Sequence, residues 1–162
     1  MNYPGTALAS KLKLIAQMLT ADLPARIFVV SLDGFDTHSQ QLPGHAALMA
    51  ELSGAIRAFE QDLAEHKLSD RVLLATYSEF GRRVAENGSL GTDHGAASVL
   101  FALTPTGKAG LHGKHPSLTD LTDGDLKFNT DFRSIYATLL DKWLEIPSAG
   151  VLGGEFSPIA FV

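Results

Sequence analysis

The chain has 162 residues, 45% hydrophobic and 19% charged, which is the range of one globular domain long enough to bury a core. Its net charge of -5 has no basic block behind it; Arg82-Arg83 is the one adjacent cationic pair, so nucleic acid is excluded as an expected partner. There are no cysteines, which removes disulfides, thiolate metal sites and cysteine nucleophiles.

Residues 1–20 are broken by Lys11 and Lys13, too early for the apolar core of a signal peptide, and no apolar stretch approaches membrane-spanning length. The chain reads as soluble, with no membrane partner and no address of its own. From Ala7 to Leu19, the residues Leu8, Leu12, Ile15, Ala16 and Leu19 recur at intervals of three and four, which predicts a helix with one buried face, closed off by Pro24. "RIFVVSL", Arg26 to Leu32, is a short apolar run with almost no alternation, the pattern of a strand covered on both faces in a parallel sheet. It stops abruptly in "DGFDTHSQQ".

From Gly44 to Glu65 the positions Leu48, Leu52, Ile56, Phe59 and Leu63 predict a second helix, with Glu51, Arg57, Gln61 and Glu65 outward. Ser69-Asp70 reads as a turn, "RVLLATY" (Arg71 to Tyr77) as a second buried strand and "SEFGRR" as the opening of a loop. Strand, helix and strand in that order make a right-handed crossover unit. "ASVLFAL", Ala97 to Leu103, is a third strand, entered through the polar loop "GTDHG" and left through the turn Thr104-Pro105-Thr106-Gly107. A last helical stripe, Phe132, Ile135, Tyr136, Leu139, Leu140 and Trp143, takes Asn129 or Thr130 as its N-cap and has Pro147 beyond its end. The tail "GVLGGEFSPIAFV" reads as irregular, with room for a short edge strand. These elements describe an α/β fold, a single domain over residues 1–162 built as a three-layer α/β/α sandwich on a mainly parallel sheet.

In open α/β sheets, ligands bind beyond the carboxyl ends of the strands. Asp33, Asp36 and His38 follow the first strand, Ser78, Glu79 and Arg82 follow the second, and Asp93 and His94 lie in the loop entering the third. Carboxylates with imidazoles suit zinc, manganese or iron, and Arg82 is able to grip a phosphate or sulfate through two N–H groups. Each cluster has a plainer reading. An Asx-turn or helix cap accounts for Asp36, a surface histidine for His38, a polar turn between Gly91 and Gly95 for Asp93-His94, and a salt bridge near a helix start for Glu79 and Arg82. His45 and His66 fall near the two ends of the long helix, where a solvated face explains them, and His112 and His115 fall in a loop rich in Gly and Pro. No Gly-x-Ser-x-Gly elbow, Walker loop or dinucleotide fingerprint is present.

The succession "VSLDGFDTHSQQ", "DRVLLATYSEFGRR", "GTDHGAA" and "GDLKFNTDFRSIYATLLDKWL" resembles the carboxyl-terminal half of a bacterial family, domain of unknown function 1501, with four motifs matching in order along nearly the whole chain. That family is similar to the alkaline phosphatase and sulfatase superfamily, so the resemblance implies a parallel α/β sheet and metal-assisted hydrolysis of a small anionic phosphate or sulfate ester. It implies Asp36 with His38, Glu79 and His94 in ligand positions; joined to the reading of the residues, this makes Asp36, His38, Glu79, Asp93 and His94 the ligands or polar shell of a zinc, manganese or iron site, with Arg82 as anion contact. Two departures accompany it: the aspartate and histidine are two apart where four is usual, and Phe80 stands where a ligating histidine belongs. Relatives are longer, are often exported to the periplasm and carry the nucleophile upstream. The chain thus reads as truncated on its N-terminal side, with exposed sheet edges that favour a homo-oligomer. Thr37 and Ser78 are nucleophile candidates by proximity alone. The alternative is a non-catalytic binding or assembly module that keeps the fold without the chemistry.

Overall fold

A computed structural model describes all 162 residues. The chain forms two compact units, one of residues 1–71 with 86–93, the other of residues 72–85 with 94–162.

In the first unit, helix α1 (Ala7–Thr20) starts where the Thr6 hydroxyl accepts from the Ala9 N–H at 3.3 Å, satisfying one of the amides that no helical carbonyl can reach. The predicted stripe is borne out: Leu8, Leu12 and Ala16 are buried together with Ala9. Helix α2 (Gln41–Glu65) packs on it through Ala55, Ala58, Phe59 and Leu63, each buried Leu or Phe contributing roughly 1.5–3 kcal/mol. Buried Asp62 accepts the Tyr3 hydroxyl at 2.8 Å, and the Leu8 N–H reaches Glu51 at 3.2 Å, so both ends of the seam are tied by polar contacts.

Helix α2 begins three residues earlier than the periodicity predicts, and it has no side-chain cap. Its amide groups are satisfied from elsewhere: Gln40 N–H bonds to the Ser89 carbonyl at 3.0 Å and Gln41 N–H to the Leu90 carbonyl at 2.8 Å. Pro43 in the first turn has no N–H to satisfy.

The parallel sheet is not formed, and the three-layer sandwich expected from the apolar runs is corrected accordingly. A short 3-10 turn (Ser69–Arg71) leads to β1 (Leu74–Ala75), followed by β2 (Gly81–Glu86), β3 (Thr92–Gly95), β4 (Ala102–Leu103), β5 (Leu121–Thr122) and β6 (Asp125–Leu126). They form three two-stranded sheets: β1 with β4 and β5 with β6, both antiparallel, and the hairpin β2–β3. Leu74 faces Leu103 and Ala75 faces Ala102, so the second and third predicted strands are paired, but over two residues and without a crossover. Arg26–Leu32 belongs to no helix or strand. Ile27 and Val29 are 64% and 70% exposed while Phe28 and Val30 are half-buried; the run lies beside α1, where the Lys11 ammonium donates to the Ser31 carbonyl at 2.7 Å. An apolar run reports hydrophobicity, whereas a strand also needs a partner backbone, which the run itself does not specify.

In the second unit, α3 (Phe132–Thr138) is capped by Asp131, one or two residues after the expected Asn129 or Thr130. It continues as a π-helical turn (Leu139–Leu144) that carries the rest of the predicted stripe. Buried Thr138 accepts the Ile159 N–H at 2.7 Å, and the Asp141 carboxylate accepts the Ser148 N–H at 2.8 Å and its hydroxyl at 2.9 Å. Ser148 opens α4 (Ser148–Leu152), which takes the first residues of the tail; the remainder of the tail is irregular as expected and forms no edge strand. No helix is long and apolar enough to cross a membrane.

Candidate metal centre

The first unit brings Asp36, His38 and Asp93 together. His38 turns Nε2 to Asp36 Oδ1 at 3.0 Å and Nδ1 to Asp93 Oδ1 at 3.3 Å. All three side chains are open to solvent, His38 at 47%.

The chain achieves this by folding the hairpin tip onto the start of α2. Asn87 is the hub: its Oδ1 accepts from the Ser89 N–H at 2.9 Å and the Gly91 N–H at 3.1 Å, an Asx-type turn that closes the hairpin. Its Nδ2 reaches the His38 carbonyl at 3.0 Å and Asp93 Oδ1 at 3.5 Å. Gly91 is buried against the same loop, and a Cβ there would run into the His38 carbonyl and sit 2.6 Å from the Ser39 nitrogen. Thr92 donates to Gln41 Oε1 at 3.0 Å, and Gln41 donates to the Thr37 hydroxyl at 2.9 Å, which extends the lattice across the loop. Gly91 was legible as a turn glycine but not as the contact on His38, and Asn87 and Gln41 carry no motif of their own beyond the Asn87-Gly88 dipeptide after "GRRVAE", a hairpin signal.

An imidazole between two carboxylates is chemically specific. A neutral ring has one N–H, so it donates to only one of them, and its other nitrogen then turns a lone pair toward an oxygen that is itself an acceptor. A cation shared by that nitrogen and that carboxylate relieves the conflict, and so does a second ring proton. The donor set, one imidazole and carboxylate oxygens, fits zinc, manganese or iron better than a cation that takes oxygen alone.

His94 belongs to the second unit, where its ring lies flat on Phe80, centroids 3.8 Å apart at 8°. The Arg82 guanidinium is 4.9 Å from the centre of the same Phe80 ring. The position where the resemblance implied a ligating histidine therefore holds the surface that fixes the plane of another. Glu79 is exposed in the loop before β2, and Asp33 is exposed at the end of the apolar run. Asp93 and His94, read as a loop between glycines, lie in β3.

The candidate hydroxyls are both engaged locally. Thr37 accepts from Gln41, and the Ser78 hydroxyl donates to the Phe80 carbonyl at 2.7 Å. Of the remaining histidines, His66 pairs with Asp62 at 3.1 Å, His45 packs edge-on to Phe35, and His112 and His115 each face a backbone carbonyl at 2.8 Å.

A family model described as a protein of unknown function (DUF1501) matches residues 5–143. No curated protein and no solved structure matches the chain.

Proposed function

The chain belongs to the DUF1501 family of proteins of unknown function, and on that premise we propose that it binds a divalent transition metal through Asp36 and His38. The observation that supports this reading is the position of His38 between two carboxylates, an arrangement that favours a shared cation. Asp36 and His38 would hold the metal on an open surface, where water would be free to take its remaining positions. A metal held in this way supplies a Lewis acid toward an anionic phosphate or sulfate ester, the reaction class that the family resemblance suggests.

A second reading, metal binding without ester hydrolysis, is favoured by a separate observation. Neither Thr37 nor Ser78 is poised as a nucleophile, since each hydroxyl is committed to a turn.

The test is metal content of protein purified without chelator, followed by titration with zinc and manganese. Bound metal, or a melting temperature that rises on addition of either ion, is expected in the unsubstituted chain, and both effects are expected to be lost in His38→Ala. An unsubstituted chain that takes up neither ion sinks the metal reading. Turnover of a chromogenic phosphate or sulfate monoester by the loaded protein decides between hydrolysis and binding alone.

A further inference from the structure

We infer that Asp93 is a positioning residue for His38 and not a ligand; the inference rests on the metal reading above and deepens it. Two nitrogens face Asp93 Oδ1: His38 Nδ1 at 3.3 Å and the Asn87 amide Nδ2 at 3.5 Å. In the Nδ1–H tautomer that oxygen accepts from the ring as well as from the amide. The same Asn87 amide group holds the His38 carbonyl at 3.0 Å, so one side chain sets the backbone of the histidine and the carboxylate that faces its ring.

The chemical consequence lies in the tautomer. With the proton held on Nδ1 by Asp93, the lone pair of Nε2 points to the side where Asp36 Oδ1 sits at 3.0 Å, a separation suited to two donors on one metal. Metal-bound histidines characteristically donate their other ring N–H to a carboxylate, which fixes the ring and raises the basicity of the ligating nitrogen. Asp93 occupies that outer place, and Asp36 occupies the inner one.

The experiment has a metal-free arm and a zinc arm. Nitrogen-15 correlation spectra of the metal-free chain, taken about two pH units above the ordinary histidine value, read the His38 tautomer directly. The Nδ1–H form is expected in the unsubstituted protein, with a shift toward Nε2–H in Asp93→Asn. In zinc titrations, Asp93→Asn is expected to weaken binding roughly 10–100-fold while one zinc still binds at saturation. Asp36→Asn is expected to abolish stoichiometric binding. A tautomer that does not change in Asp93→Asn overturns the inference, as does an Asp93→Asn variant that loses zinc as completely as Asp36→Asn. Should the unsubstituted chain bind no zinc, the metal reading fails on that arm and the tautomer arm decides the role of Asp93 by itself.

Discussion

His38 and His94 are two imidazoles held by different means. His38 is gripped at its edge: a carboxylate faces each ring nitrogen, and Asn87 holds its carbonyl. The face of the His94 ring lies on Phe80, centroids 3.8 Å apart. An edge contact decides which nitrogen carries the proton and which presents a lone pair, the property a metal ligand needs. A stacking contact, taken by itself, fixes the plane of the ring and contributes packing. The difference teaches that equal residue types in adjacent motifs are separated by the geometry of their neighbours.

The contrast can be broken most forcefully at Gly91. Gly91→Ala places a methyl group against the His38 carbonyl and is expected to cost about 1–3 kcal/mol in urea or thermal unfolding while freeing the hairpin tip from the start of α2. Retained stability would show that the tip is not clamped. Phe80→Ala strikes the other side. It is expected to cost roughly 0.5–1.5 kcal/mol beyond the lost burial and to remove the ring-current shift of the His94 ring protons, read by proton NMR.

The smallest effect tests edge against face on a single side chain. Arg133 forks onto Asp131 and also lies 4.4 Å from the Phe156 ring centre. The hydrogen bond from the Arg133 side chain, then the one from its backbone N–H, holds the Asp131 carboxyl below its ordinary value of 3.8. A carboxylate with a lowered folded value adds stability that is full above the unfolded value and is lost as pH falls through the folded one. The Arg133 amide signal should therefore persist as pH drops below 3.8 and collapse only further into acid. In Asp131→Asn that acid step should vanish, and Phe156→Leu should leave it in place.

The two long helices were legible because an apolar position every third or fourth residue is a local signal, and the α1–α2 seam uses those positions. The sheet was not legible. "RIFVVSL" and "ASVLFAL" carry apolar side chains, but pairing is set by distant backbone, and the first run forms no ladder while the second pairs only at Ala102–Leu103. At the candidate centre, Asp36, His38 and Asp93 were legible as chemistry but not as geometry, because residues 55 apart are joined by a hairpin tip whose turn signal, Asn87-Gly88, does not say what the tip packs against. Burial of Gly91 against His38 has no sequence signature beyond the glycine itself.

The hub of that clamp carries a chemical clock. Asn87 precedes a glycine, whose bare backbone leaves the next nitrogen sterically open to attack on the side-chain amide, with loss of ammonia. Deamidation there exchanges the Nδ2 donor for an anionic oxygen, so the group that bonded to the His38 carbonyl and Asp93 would repel both. The hydrogen bonds from Ser89 and Gly91 onto Asn87 Oδ1 restrain the turn against that reaction, which ties the shelf life of the centre to the integrity of its own hairpin.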